Sequence, residues 1–239
     1  YGQMLKKGEI ASGEKINVVV PTGNFGNILA AYYAKGIGLP IDRLICASNE
    51  NKVLYDFLNT GAYDRNREFI LTSSPSMDIL ISSNLERLIF RITGEDAVKT
   101  RELMDSLGAA GRYEITEAMK KELSGFYGNF ASEQETQEGI RVLYEKTGYV
   151  MDTHTAVARQ VYEKYKEQTK DQTKTVIAST ARPYKFTRSV MTAIDQAFDH
   201  QDDFELVDEL NIISGLPLPA AIEEILNATE QHKTTWTLY

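Results

Sequence analysis

A strand, a glycine-bearing turn and a helix follow one another without a gap in VVVPTGNFGNILAAYYAKG, residues 18–36. The run from Ile16 to Val20 is mostly apolar and β-branched, which predicts a buried strand. Beyond the turn, the spacing of apolar residues predicts a helix over residues 25–35 that is closed by Gly36. A strand that passes so directly into a helix is typical of proteins whose parallel strands alternate with helices.

The remaining sequence alternates in the same way. Short strands are predicted at residues 44–47 and in TVIAST, residues 175–180. Helical spacing recurs near residues 52–59, 79–92, 96–107, 115–124, 133–146, 155–168, 186–198 and 217–228, ahead of a threonine-rich tail. We therefore predict an α/β fold with a mainly parallel sheet flanked by helices. Residues 16–239 would form one domain, with a helical layer at about 78–168.

The first residues are unusual for the start of a protein. Position 1 is a tyrosine, and Tyr1, Met4 and Leu5 fall at helical spacing ahead of Gly8, which can end a helix. We expect residues 1–15 to be the end of a truncated helix followed by a linker, so that the fold is incomplete at its N-terminus. A tag residue or a trimmed terminus is the alternative.

Composition excludes several classes of function. A net charge of −8 and a pI near 5.1 argue against a nucleic-acid partner, and no apolar segment approaches the ~20 residues that span a membrane. The single cysteine, Cys46, lies in an apolar run, which predicts a buried thiol and a cytoplasmic protein. His154, His200 and His232 share no ligand spacing, so no metal site is predicted.

The turn after the first strand predicts a phosphate site. Gly23 and Gly26 allow the backbone to approach a ligand closely or to take positive φ. The helix that follows directs free N–H groups and its positive dipole end toward the turn, while Asn24 and Asn27 can cap the helix or donate to phosphate oxygens. An ordinary turn with asparagine caps is the alternative. The tripeptide GNF recurs at residues 128–130 without a strand before it, so only the context is informative.

Residues that are missing from the turn narrow the range of phosphate-containing ligands that it could bind. No lysine lies between Lys15 and Lys35, so the turn lacks the lysine of a nucleoside-triphosphate loop. The glycine pattern of a dinucleotide site is incomplete, but Glu50 could bind a ribose, which keeps a nicotinamide-binding domain as an alternative. A single phosphate group fits best. Ser179 and Thr180 end the last predicted strand at the same sheet edge, where they can meet a ligand or cap the next helix.

Six segments, in the same order along the chain, resemble threonine synthase, a pyridoxal-phosphate enzyme of fold type II. They are PTGNFGN, SNENKVLYDFL, SPSMDILISSNLERL, DTHTAVA, ASTARPYKF and LPLPAAIEEIL, and they cover most of the chain from about residue 15 onward. The resemblance is to the carboxyl-terminal part of such an enzyme, and it implies the large, cofactor-binding domain of that fold.

The resemblance also implies a cofactor, a reaction and a set of contacts. The reaction would convert O-phospho-L-homoserine and water to L-threonine and phosphate with pyridoxal 5'-phosphate as cofactor. Thr180 would face the pyridine nitrogen of the cofactor. Five consecutive residues of the turn would hold its phosphate group: Gly23, Asn24, Phe25, Gly26 and Asn27.

The family's Schiff-base lysine lies upstream of the glycine turn, and no residue of this chain matches its motif. Lys185, close to Thr180, is not given that role. The resemblance therefore implies a chain without a catalytic lysine, inactive by itself, whose partner is the missing amino-terminal half of the same protein. A non-catalytic remnant that still binds phosphate or the cofactor is the alternative.

Two segments leave roles open. The family usually has a histidine after STA, where this sequence has Arg182, and both an anion contact and an ordinary surface position suit this arginine. Ser82, Ser83 and Asn84 interrupt a helical pattern, and we interpret them as caps of the helix that follows.

Overall fold

The computed structural model describes residues 1–229 and 231 of the chain. His232 and most of the threonine-rich tail lie outside these residues. Within them, the strands are β1 (Ile16–Pro21), β2 (Ile41–Ser48), β3 (Ala62–Asp64), β4 (Arg112–Glu114), β5 (Phe126–Phe130) and β6 (Thr175–Ile177). The helices are α1 (Gly2–Lys6), α2 (Gly26–Gly36), α3 (Val53–Thr60), α4 (Leu85–Ile92), α5 (Ala97–Ala110), α6 (Glu117–Glu122), α7 (Glu133–Thr147), α8 (Thr153–Thr169), α9 (Thr187–Ile194), α10 (Asp203–Ser214) and α11 (Ala220–Leu226).

The central sheet is parallel, and its spatial order is β5-β2-β1-β6. Val18 of β1 pairs with Leu44 of β2 on one side and with Val176 of β6 on the other. Strands β3 and β4 form a separate antiparallel pair. The predicted α/β fold with a mainly parallel sheet is confirmed. Because parallel strands end at one edge, the segments that follow β1, β2 and β6 meet there.

Helices cover both faces of this sheet. Successive residues of a strand point to opposite faces, and in β1 Val19 packs with Val161 of α8, while Val20 belongs to the core that Ile28 of α2 and Leu54 of α3 share. Beyond β6, helices α9 and α10 form a further apolar cluster with α7. The sheet is therefore fixed between two layers, which holds the turn after β1 in place.

Several predicted boundaries need correction. Residues 78–168 are not entirely helical, because they contain β4 and β5, and β5 joins the central sheet with Gly128 opposite Cys46. The second GNF is therefore part of a strand. Gly36 is the last residue of α2 and Ile37 caps the helix. The helix predicted near 186–198 is divided, because Asp195 takes an extended backbone and caps a separate 3-10 turn.

Two other predictions, on Gly8 and on Cys46, are confirmed. Helix α1 ends before Gly8, whose φ of 68° and N–H bond to the Leu5 carbonyl form the predicted C-terminal cap. Cys46 is fully buried in β2, and burial raises the pKa of its thiol to about 12. None of the helices among the described residues combines the length and apolar character that a membrane span requires.

Candidate functional site

A cavity of about 240 Å³ opens at the edge where the parallel strands end. Four segments of the chain contribute to its lining. They are the turn after β1 with Gly23, Asn24 and Asn27, a 3-10 turn with Ser76 and Met77, the start of α8 with His154, and the segment after β6 with Thr180, Ala181 and Lys185. The structure therefore brings Thr180 together with three predicted residues of the glycine turn.

Phe25 and Gly26, also predicted as phosphate contacts, do not line this cavity. The Phe25 ring is fully buried and packs on Phe126, with 6.0 Å between the ring centroids. Its N–H already donates to the carbonyl of Ser83 at 2.8 Å. The role of Phe25 as a phosphate contact stays a prediction, and the observed contacts give it an anchoring role in the turn.

The N-terminus of α2 is open. Phe25 occupies the N-cap position, and no side chain caps the helix. The predicted asparagine caps are wrong, because the Asn24 Oδ1 accepts from the Ser83 N–H at 3.3 Å and Asn27 lies within the first helical turn. Within the described part of the chain, the backbone N–H groups of Asn24, Gly26 and Asn27 have no protein acceptor. Such a helix end binds anions.

The two glycines of the turn are needed for different reasons. Neither takes positive φ. A Cβ on Gly23 would lie 2.5 Å from the carbonyl oxygen of Ser76, so the protein itself excludes a side chain there. Of the residues that the structure describes, a Cβ on Gly26 would meet only the Asn84 Nδ2, at 3.5 Å, which is an ordinary contact. The protein leaves room beside Gly26.

Ser82 and Ser83 hold the glycine turn and cap no helix. The Ser82 hydroxyl donates to the Gly23 carbonyl at 2.6 Å, and the Ser83 backbone bonds both Phe25 and Asn24. Asn84 occupies the N-cap position of α4 with φ 71°, but its side chain caps nothing. The capping interpretation is therefore wrong, because the Ser82 hydroxyl and the Ser83 backbone bond the glycine turn, and the Asn84 side chain bonds the Ser83 hydroxyl.

A polar network that the sequence did not reveal fixes the segment beside the turn. The Asp78 carboxylate accepts from Asn49 Nδ2 at 2.7 Å, from Asn51 Nδ2 at 3.0 Å and from the Thr72 N–H at 2.9 Å. These bonds tie the segment that carries Ser76 to the residues that follow β2. The part of the cavity wall beside the glycine turn is therefore anchored to the residues that follow β2.

His154 also lies in the cavity wall, which sequence reasoning missed. Its ring is buried, packs on Phe186 with 4.7 Å between centroids, and accepts at Nε2 from the Ser76 N–H at 3.3 Å. Asp152 caps α8 through the N–H groups of His154 and Thr155. Burial alone would raise the pKa of Asp152, but hydrogen bonds from His154 and Thr155 outweigh it and lower that pKa. The sequence signal that was available is Asp152, two residues before His154, because an aspartate there can cap the start of a helix.

The segment after β6 presents exposed hydroxyl groups. The Ser179 hydroxyl hydrogen-bonds the Thr155 hydroxyl at 3.2 Å, and neither Ser179 nor Thr180 caps the 3-10 turn at Pro183–Phe186. The capping alternative is therefore wrong. Arg182 is exposed and lines a neighbouring cavity instead of the one beside the glycine turn.

The charges around the cavity favour an anion. Among its lining residues as the structure describes them, Lys185 is the one with a permanent positive charge, and none carries a carboxylate. Glu50, the predicted ribose contact of the nicotinamide alternative, accepts instead from the Glu133 N–H at 3.1 Å. The nicotinamide alternative thus loses the residue on which it depended.

Solved structures with the same fold define the class first. A pyridoxal-phosphate-bound threonine synthase from Brucella melitensis superposes with a TM-score of 0.74 at 39% identity, over 80% of this chain and 40% of that chain. The chain thus has the fold of threonine synthases, which are fold-type-II proteins.

Sequence comparison agrees. Residues 155–235 match the family model described as "Threonine synthase, C-terminal". The chain is 42% identical over 196 residues to human threonine synthase-like 1 and 35% identical over 240 aligned residues to threonine synthase from Saccharomyces cerevisiae. These matches cover 81% and 91% of the chain, but only 26% and 47% of those proteins. By sequence and fold, the chain is similar to the carboxyl-terminal part of threonine synthases.

Proposed function

We propose that the cavity holds pyridoxal 5'-phosphate and that the chain is the carboxyl-terminal part of a threonine synthase. The complete enzyme would convert O-phospho-L-homoserine and water to L-threonine and phosphate. The observation that supports this best is the open N-terminus of α2, whose unpaired amides lie beside a cavity that Thr180 also lines.

The donors of the turn fit the phosphate group of this cofactor. The backbones of Asn24, Gly26 and Asn27 supply neutral N–H groups at the positive end of a helix, an arrangement that binds phosphate without a lysine in the turn. The space beside Gly26 lets a ligand approach the backbone closely. Gly23 lies in the same turn, where the protein fills the space that a side chain would need.

Thr180 would face the ring nitrogen. When bound, the cofactor supplies an electron-accepting ring for chemistry at the amino acid's carbon atoms. A threonine hydroxyl is neutral, so it orients the ring but does not keep the ring nitrogen protonated. A carboxylate in the same place would keep that nitrogen protonated. In this proposal the chain binds and orients the cofactor, while the turn and the half-buried Asp78 network keep the cavity in shape.

We further propose that the Schiff-base lysine comes from an amino-terminal portion of a longer cytoplasmic protein, and that this chain alone is inactive. The partial coverage of the relatives supports this division. The direct test is to assay the longer protein, loaded with pyridoxal phosphate, for threonine and phosphate release from O-phospho-L-homoserine. L-Homoserine, which lacks the leaving phosphate, is the control substrate. Absence of phosphate-dependent threonine formation would overturn the proposal.

The same proposal predicts where the cofactor does not attach. After incubation of this chain with pyridoxal phosphate and reduction with borohydride, we expect no lysine to be labelled stoichiometrically. Peptide mapping provides the measurement. Lys185 is the informative position, because it lines the cavity. Stoichiometric labelling of Lys185 would contradict a Schiff-base lysine in the amino-terminal portion. It would assign the attachment site to this chain.

A further inference from the structure

We propose that Ser82 is a positioning residue, which directs the backbone N–H of Asn24 toward the phosphate of the bound ligand. This inference rests on the proposed function of the cavity. It concerns a residue that touches the glycine turn from 59 positions away and that does not line the cavity itself.

Ser82 is rigidly held. Its residue is 4% exposed, and its N–H donates at 2.8 Å to the hydroxyl of Tyr63, which is 1% exposed. The Tyr63 hydroxyl donates in turn to the Leu80 carbonyl at 3.1 Å. Burial raises the pKa of Tyr63 to about 12, so this hydroxyl stays protonated at neutral pH. The Ser82 hydroxyl is therefore presented to the turn from a fixed position.

The bond from Ser82 fixes the direction of one peptide plane. Its hydroxyl donates to the Gly23 carbonyl at 2.6 Å. In a planar trans peptide, the carbonyl and the N–H point in opposite directions. The N–H that shares a peptide with the Gly23 carbonyl belongs to Asn24, so it points away from Ser82. Asn24 lines the cavity, and its N–H has no acceptor among the described residues. Ser82 thereby sets the direction of a free donor.

Ser83 holds the next peptide, but with its backbone. Its carbonyl accepts from the Phe25 N–H at 2.8 Å, and its N–H donates to the Asn24 Oδ1 at 3.3 Å. Among the described residues, the hydrogen-bond partner of the Ser83 hydroxyl is the Asn84 Nδ2, at 3.4 Å. Two adjacent serines therefore grip the same turn, one through its side chain and one through its main chain. This pair offers a matched control.

The experiment compares Ser82→Ala with Ser83→Ala in the cofactor-loaded longer enzyme. Without its donor, the buried Gly23 carbonyl loses the bond that holds the peptide plane. We expect Ser82→Ala to weaken pyridoxal-phosphate affinity about tenfold, measured by absorbance titration, and Ser83→Ala to stay within about twofold of wild type. Thermal unfolding of the cofactor-free proteins separates a positioning role from a loss of stability.

Further measurements keep the outcome decisive. Affinity of the cofactor-free protein for inorganic phosphate should fall in parallel, and the Asn24 amide resonance should shift in Ser82→Ala but not in Ser83→Ala. If Ser82→Ala does not fold, Tyr63→Phe removes the acceptor that holds Ser82 and should weaken affinity about threefold. Wild-type affinity in Ser82→Ala, or equal losses in both serine variants, would overturn the inference. A wild-type protein that binds neither ligand would overturn the proposed function as well.

Discussion

Gly23 and Gly26 are three residues apart, yet the structure requires the absence of a side chain only at Gly23. The Ser76 carbonyl would lie 2.5 Å from a Cβ at Gly23, whereas among the described residues a Cβ at Gly26 meets only the Asn84 Nδ2, at the ordinary contact distance of 3.5 Å. A glycine that the protein does not need for its own packing is a candidate for ligand contact. Gly26, the first residue of α2, meets this condition beside an open helix end.

Gly26→Ala should therefore separate stability from cofactor binding. In the complete enzyme we expect the cofactor-free protein to become slightly more stable, because alanine in a helix is favoured over glycine by roughly 0.5–1 kcal/mol. Cofactor affinity should fall tenfold or more, since a methyl group at the helix end displaces at least one charge-assisted hydrogen bond worth roughly 1.5–3 kcal/mol. Thermal unfolding and cofactor titration measure the two effects.

Gly36→Ala, at the other end of α2, is the matched control, because a Cβ there has nothing within 4 Å. It should leave cofactor affinity unchanged. Gly128 in the second GNF is less suitable, since a Cβ there would lie 3.1 Å from side-chain atoms of Leu58 in α3. A similar loss of affinity in the Gly26 and Gly36 variants would contradict a phosphate contact at Gly26.

Sequence reasoning pointed to Gly23, Asn24, Asn27 and Thr180, which line the cavity, because a strand, a turn and a helix are local patterns. It missed Ser82 and His154, because their contacts with the cavity segments span 59 and 78 residues. Nothing near Ser82 in the sequence indicates that its hydroxyl faces Gly23. Local polarity therefore suggested helix capping, the commonest local role of serine, while the tertiary contact decided its position.

At the scale of elements, helices were easier to predict than short strands. Helix α7 begins at a capping box between Ser132 and Glu135, a signal contained in four residues. Strand β5 lacks a comparable signal, because a glycine and an asparagine interrupt its aromatic residues, and pairing with β2 makes it a strand. The connection from α8 to β6 depends likewise on a distant contact, from Asp171 to Asn17 of β1 at 2.8 Å.

Asp171→Asn tests this connection. Burial alone would raise the pKa of Asp171, but hydrogen bonds from Thr173, Tyr165 and Asn17 outweigh it and hold that pKa well below its ordinary value of 3.8. A carboxyl group whose pKa is lowered in the folded state stabilises the protein above its unfolded pKa, and this stability is lost as the pH falls. We expect the variant to be about 1–3 kcal/mol less stable at pH 7.

The difference between wild type and variant should shrink as the pH falls below about 4, and urea unfolding between pH 7 and pH 3 provides the measurement. Asp105→Asn is the control, because Asp105 is exposed on α5 and its side chain has no hydrogen bond in the described part of the chain. A stability difference that does not change with pH would show that the charge of Asp171 does not matter.

At the scale of the whole molecule, β6 is an edge of the sheet. It pairs with β1 on one side, and its other side has no partner strand among the residues that the structure describes. Val176 at its centre is 37% exposed. An uncovered edge offers unpaired backbone groups to another chain. The partner expected from the sequence analysis, an amino-terminal portion of the same protein, would cover apolar surface of this kind.

We therefore expect the isolated chain to self-associate, and Val176→Lys to reduce this association, because a lysine on an edge strand opposes strand pairing. Light scattering after size-exclusion chromatography measures the mass. Ile37→Lys is the control, since Ile37 is 90% exposed but lies in the connection after α2. Equal reductions in both variants would attribute the association to non-specific apolar contacts. A monomeric wild-type chain would contradict the prediction.

The order of the strands also has a consequence for synthesis on the ribosome. Strand β1 can pair with β2 soon after both have been synthesised, but its other neighbour, β6, is synthesised much later. The Asn17–Asp171 contact beside β6 spans 154 residues. At roughly 5–20 residues per second, that interval lasts about 8–30 seconds. During this time one side of β1 is open at the centre of the future sheet. We therefore expect folding during synthesis to benefit from chaperones that shield unpaired strands until β6 has been translated.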